Sequence, residues 1–237
     1  LRAMSNYDDK QRTVVNITEQ ASQAERILIV TAVAVERDAV LRGLGNDSRF
    51  DVIAAGAGVA AAAAATAAAL ARSPYRLAVS AGIAGGFADQ TTVGALVVSS
   101  EIIAADLGAE TPEGFRSLDE LKLGSASAKV APHLPAKLAA ALKQAGLAAD
   151  AGPVLTVSTV TGTASTAVEL ARRVPGAAAE AMEGYGVATA AAFSDVPAME
   201  LRAISNMVGP RNRDAWRIPD ALKALEAASA VLKEVIA

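Results

Sequence analysis

Ala178-Ala-Glu-Ala-Met-Glu-Gly-Tyr-Gly-Val-Ala188 decides how the rest of the chain is read, because it places a carboxylate, Glu183, where an apolar strand runs into an alanine-rich helix. After Ser194-Asp-Val-Pro197 comes a second apolar run, Met199-Glu-Leu-Arg-Ala-Ile204, which stops at Ser205-Asn206 ahead of a segment of Gly, Pro and Arg. Ligands of open α/β sheets bind beyond the carboxyl ends of the strands. Two polar strand ends in succession therefore predict one cleft with polar groups on both walls.

Outward from that pair, the same alternation recurs. Ile27-Leu-Ile-Val-Thr-Ala-Val33 is a continuous apolar run of the kind buried on both faces of a parallel sheet. It feeds a helix from Val35 to Leu44, so Glu36 falls at a third strand-to-helix junction. Phe50–Ala55 and Arg76–Ser80 read as strands around a helix that ends near Arg72. Gly56-Ala-Gly-Val-Ala-Ala61 has the form of a dinucleotide fingerprint but lacks an acidic residue at the end of the next strand, so close helix packing is the reading preferred for its glycines. Gly82, Gly85 and Gly86 are either a pocket floor or a tight turn needing positive φ. Asp106 to Gly124 reads as a polar loop. Helices are expected over Pro135–Gly146, over 166–173 with Thr166 as cap, and over Pro219–Ile236. The result is an alternating α/β chain. Residues 1–24 are a polar extension, expected to be disordered, and 25–237 one catalytic domain.

Composition narrows the chemistry. The 237 residues are 52% hydrophobic but only 3% aromatic, so the core is filled by small aliphatic side chains and function does not rest on stacking platforms. A net charge of -3 without a basic run gives no footprint for nucleic acid or an anionic membrane. With no cysteine and a single histidine, His133, between prolines, neither a thiolate or His-based metal site nor a Ser-His-Asp triad is expected, and no cofactor is called for. Residues 1–24 hold no apolar stretch of leader type, and a cytoplasmic location is the expectation.

Four elements in order resemble the purine nucleoside phosphorylase and methylthioadenosine nucleosidase superfamily with its futalosine-hydrolysing branch: Ala32-Val-Ala-Val-Glu36, Ala81-Gly-Ile-Ala-Gly-Gly86, Ala181-Met-Glu183 and Arg202-Ala-Ile-Ser-Asn206. The resemblance implies a three-layer αβα fold with a central mixed, largely parallel twisted sheet, a purine nucleoside substrate, water as nucleophile, and a homodimer or larger homo-oligomer. It implies Glu36 as the base acting on water, and Glu183 on the ribose hydroxyls with Met182 packed under the sugar. Val160 and Thr161 would frame the base, and Gly82 and Ile83 the floor near the water. Without it, Glu36 and Glu183 read equally as acids favoured at helix N-termini, and Asn206 as a turn residue.

The adenine-cleaving members have an aspartic acid where this chain has Asn206. An amide cannot be that acid, but it donates to a 6-oxo group and accepts from a protonated N7, which suits hypoxanthine. The resemblance thus implies release of hypoxanthine from futalosine in a menaquinone pathway. Arg211, Arg213 and Trp216 read either as a solvated loop or as part of the site, with an arginine pairing with the substrate's aryl carboxylate. Glu36 would repel a phosphate nucleophile, which favours hydrolysis over phosphorolysis. Two alternatives stay open: a nucleosidase or phosphorylase of inosine or methylthioadenosine-type nucleosides, and a nucleotide-binding module without catalysis.

Overall fold

The computed structural model describes residues 26–45 and 47–236. The extension expected over residues 1–24 lies outside them. Within the described residues the strands are β1 (Ile27–Thr31), β2 (Phe50–Ala54), β3 (Leu77–Gly86), β4 (Leu96–Ala104), β5 (Gly108–Thr111), β6 (Gly114–Ser117), β7 (Ser127–Ala128), β8 (Ala149–Thr156), β9 (Ala179–Ala181) and β10 (Ala198–Met207). The helices are α1 (Ala34–Leu44), α2 (Val59–Leu70), α3 (Leu118–Leu121), α4 (Leu134–Gln144), α5 (Ala164–Arg173), α6 (Gly184–Ala192) and α7 (Ile218–Val235). The three-layer α/β architecture expected from the resemblance is what the chain adopts.

β1 is buried at all five positions, as its uninterrupted apolar sequence requires, and pairs in parallel with β2 on one side and β3 on the other. On one face of the sheet, Val40 and Leu44 of α1, Leu138 and Leu142 of α4 and Leu225 and Leu232 of α7 form the largest apolar cluster. On the opposite face Ala62 of α2 packs with Val187, Ala188 and Ala191 of α6. Alanine and glycine permit that second layer to sit close: a Cβ on Gly186 would stand 2.2 Å from the Val59 carbonyl oxygen.

The sheet forks at β3. Its first half, Leu77 to Ser80, pairs with β1, and its last two residues, Gly85 and Gly86, pair with β9 in the antiparallel sense. Its other edge runs parallel to β10 throughout. Since β10 also pairs with β4, β4 with β8 and β8 with β9, five strands close a circuit beside the open β3-β1-β2 wing. Between Ser80 and Gly85 the β1 side of β3 has no strand against it, and the functional cleft opens there.

Several local expectations give way. Gly82, Gly85 and Gly86 lie within β3 and none is among the positive-φ residues, so the turn reading fails. They are small because other groups occupy their side-chain space: a Cβ on Gly82 would meet Glu36 Oε1 at 2.6 Å, and one on Gly85 would meet Val208 Cγ2 at 2.9 Å. Gly56 and Gly58 do the reverse. Each has a positive φ, 97° and 98°, while a Cβ on Gly58 would touch nothing within 4 Å, so backbone conformation rather than close packing demands them. The polar segment after Asp106 contains the β5–β6 hairpin and α3, which Ser117 and Glu120 close with a capping box. The cap of α5 is Thr163, which accepts from the Thr166 backbone N–H, and Thr166 lies inside the helix. β10 runs on through Ser205 and Asn206 to Met207, with a register shift against β3 between Ile204 and Asn206.

Candidate active site

Glu36 enters the gap in the sheet from the first turn of α1. Its Oε2 accepts the Ala32 and Val33 backbone N–H groups at 3.0 and 3.2 Å, which belong to the residue before the cap of α1 and to the cap residue. Its Oε1 accepts the Ile83 N–H at 2.9 Å, a donor on the stretch of β3 that faces neither β1 nor β9. The carboxylate is only 3% exposed and fixed by three backbone donors.

Glu183 stands at the cap position of α6, directly after β9. Gly58 N–H reaches its Oε1 at 3.1 Å and Met182 N–H its Oε2 at 3.3 Å. Behind it lies Arg202, a buried cation on β10. Arg202 Nη2 approaches Glu183 Oε2 at 3.1 Å and donates to Ser80 Oγ at 2.9 Å, while Nε donates to Glu200 Oε1 at 2.8 Å. Burial works against the guanidinium's charge, but Glu200, Glu183 and Glu36 outweigh it and push its pKa up. For Glu200 burial dominates and raises the pKa against the pull of Arg202, and Glu183 adds to the rise. Among the described residues Glu200 Oε2 has no hydrogen-bond partner, and it fills the space where a Cβ on Gly184 would stand, 2.0 Å away. The glycine after Glu183 is thus required by a carboxylate on another strand.

Asn206, near the end of β10, is oriented by its neighbours. Its Oδ1 lies 2.8 Å from the Ser205 hydroxyl, which donates to it, and its Nδ2 donates to the Met207 carbonyl at 3.1 Å. One N–H and one acceptor direction of the amide are left over.

These groups share one cavity of about 220 Å³. Of the residues singled out from sequence, Glu36, Ile83, Val160, Thr161, Met182, Glu183, Asn206, Arg211 and Trp216 line it. Gly82 and Arg213 do not. Gly82 lies beneath the Glu36 carboxylate and the Arg202 guanidinium, where it leaves room for both. Arg213 is set against Trp216, 5.8 Å from the ring centroid, with Arg211 at 5.4 Å. Arg37 pairs with Asp38 at 2.8 Å, and neither it nor Arg72 reaches the cavity. Among the described residues no group of three His, Cys, Asp or Glu side chains is placed to hold a metal ion.

Sequence reasoning missed Arg202, Glu200 and Glu180. Glu180 lines the cavity from β9 and accepts from both the Thr161 backbone N–H at 2.9 Å and the Thr161 hydroxyl at 2.5 Å. Burial pushes its pKa up, against the Thr161 hydrogen bonds and assisted by the charge of Asp106. The alternation Glu200-Leu201-Arg202 becomes a signal only once the strand is known to be covered on both faces, where such charges must pair internally.

Known proteins resemble this chain in sequence and fold. The model of the phosphorylase superfamily matches residues 37–237. A futalosine hydrolase of Streptomyces coelicolor is 52% identical over 231 residues, 89% of this chain and 96% of the relative. One from Acidothermus cellulolyticus is 48% identical over 218 residues, 86% and 89% of the two chains. Among solved structures, the native futalosine hydrolase of Helicobacter pylori superposes with a TM-score of 0.73 at 16% identity, covering 90% of this chain and 97% of the other. The chain belongs to the phosphorylase superfamily and, within it, to the futalosine hydrolase family.

Proposed function

We propose that this protein hydrolyses the N-ribosidic bond of futalosine, releasing hypoxanthine, and so serves a route to menaquinone. The observation that carries the reading is Asn206, an amide on the cavity wall held by Ser205 and Met207, at the end of β10. Relatives 52% and 48% identical that are futalosine hydrolases support the same substrate.

Glu36 acts on the attacking water. As the water oxygen bonds to C1′, the carboxylate takes its proton, and the electron pair of the breaking C–N bond passes to the purine. Glu183 accepts hydrogen bonds from the ribose hydroxyls, and Arg202 holds it in place. The spare N–H of Asn206 donates to O6, and its oxygen accepts from N7–H of the departing base, which receives that proton from solvent. Phosphate has no place here, since Arg202, the buried cation beside Glu36, is committed to Glu183, Glu200 and Ser80. Arg211, on the wall beside Trp216, pairs with the carboxylate at the substrate's far end.

Residues 25–237 act as one catalytic unit in a cytoplasmic homo-oligomer. Light scattering on the purified protein measures the mass of the assembly, and a monomer would refute that part. Incubation with futalosine, inosine or methylthioadenosine, each with and without phosphate, tests the reaction. Phosphate-independent hypoxanthine release from futalosine is the expected result, and adenine release without hypoxanthine release would refute it.

A further inference from the structure

Glu200 is wholly buried, and the space it fills is left open by Gly184 at the start of α6. Arg202, two residues on and therefore on the same face of β10, is paired with Gly82 on β3, where a Cβ would stand 2.7 Å from Nη1. The Nε and Nη2 hydrogens lie along one edge of the planar guanidinium, and that edge matches both oxygens of a single carboxylate. Here the edge is divided. Nε donates to Glu200 Oε1 at 2.8 Å, while Nη2 reaches Glu183 Oε2 at 3.1 Å and Ser80 Oγ at 2.9 Å. The division decides how much of Glu183 stays available. A carboxylate has about four acceptor directions. Among the described residues, two on Glu183 Oε2 are taken by Met182 N–H and Arg202, and one on Oε1 by Gly58 N–H. One direction on Oε1 is left, on a side chain that lines the cavity. Were Nε to turn from Glu200 to Glu183, the guanidinium edge would cover both oxygens and close it.

We infer that Glu200 is a positioning residue, which captures Arg202 Nε so that the guanidinium meets one oxygen of Glu183 and leaves the other for a ribose hydroxyl. This rests on the reading of Glu183 as the carboxylate that binds the ribose. The role needs an acceptor that reaches Nε and does not need a charge, because a protonated carboxyl keeps an acceptor oxygen.

The test compares kcat/KM for futalosine and for its 3′-deoxy analogue. The 3′ hydroxyl is the one removed because the 2′ oxygen withdraws electrons from C1′, and its loss alone would speed cleavage. The wild-type protein should favour futalosine by about 100-fold, within the range for a hydrogen bond to a charged acceptor. Glu200→Gln keeps the reach and discards the charge, and its ratio should stay within about threefold of wild type. Glu200→Asp keeps the charge and draws the carboxylate back by one methylene, and its ratio should fall to about tenfold. Glu200→Met has no oxygen to offer and should bring the ratio near unity. Hypoxanthine should bind all four proteins alike. A purely structural role for Glu200 would slow both substrates equally and leave the ratio unchanged, which overturns the assignment. A ratio lost equally in Glu200→Gln and Glu200→Asp also overturns it, and those two variants decide the matter if Glu200→Met does not fold. Wild-type protein that cleaves futalosine without preferring it to the analogue refutes the ribose contact and the role of Glu200 with it. Protein that releases no hypoxanthine from futalosine refutes the reaction itself, and the ratio of calorimetric affinities for the two nucleosides then decides the role of Glu200 on its own.

Discussion

Arg202 Nη2 lies 3.1 Å from Glu183 Oε2, with the two side chains 1% and 6% exposed. A cation in the core of the sheet thereby anchors a carboxylate at the wall of the cleft, and Glu200 and Ser80 anchor the cation. Arg202→Met strands two buried carboxylates, and the folded state should lose about 3–5 kcal/mol. Arg202→Lys keeps the charge but cannot serve Glu200, Ser80 and Glu183 with one ammonium, so a smaller loss is expected together with a fall in kcat/KM. Urea denaturation of the two variants checks the order.

Glu36→Gln should lower kcat by about 100- to 10,000-fold, the usual contribution of a positioned base, while hypoxanthine binding is retained. The amide must also point its NH2 at either Ile83 N–H or the pair from Ala32 and Val33. That donor-to-donor contact should cost about 1–3 kcal/mol of stability. Single-turnover kinetics beside equilibrium binding separates the two effects, and an unchanged chemical step would remove Glu36 from the mechanism.

The contrast between Glu36 and Arg202 shows which parts of the site can be read from sequence. Glu36, Glu183 and Asn206 follow apolar runs directly, and a polar residue at a strand end announces itself. Arg202 and Glu200 alternate with Leu201 and Ala203, a pattern equally suited to a strand with one wet face. Only the closing of five strands into a circuit, with α6 covering one side, makes that face dry. The glycines of β3 read equally as a pocket floor or a turn for a similar reason. Glycine is a poor strand former, and the groups that require it, Glu36 and Val208, come from elements distant in sequence. Glu180 is visible beside Glu183, but its place on the cavity wall depends on β9 joining β3, a pairing of two residues on each strand.

Asn206→Asp should move the preference from the 6-oxo to the 6-amino base. The Ser205 hydroxyl can still donate to a carboxylate, but the new oxygen near the Met207 carbonyl, 3.1 Å from Nδ2 at present, is repelled unless it carries a proton. That contact favours the protonated acid that an adenine leaving group needs at N7. Futalosine kcat/KM is expected to fall about 100-fold while that for its 6-amino analogue rises. Release of the two free bases, followed chromatographically, measures both. An equal loss on the two substrates would show that Asn206 does not select the base.

The raised pKa values of Glu180 and Glu200 make stability depend on pH. Burial and the charge of Asp106 disfavour the ionised side chain of Glu180, while Thr161 opposes them only in part. The folded chain therefore keeps a proton that the unfolded chain releases, and the corresponding stability is present below the unfolded carboxylate pKa and lost as pH rises through the higher folded value. Buried Glu200, also raised, contributes with the same sign. Urea unfolding at a series of pH values should show stability falling as pH climbs through that window. Glu180→Gln should remove only part of the slope, because Glu200 remains. A slope unchanged in Glu180→Gln would assign the titration to other groups.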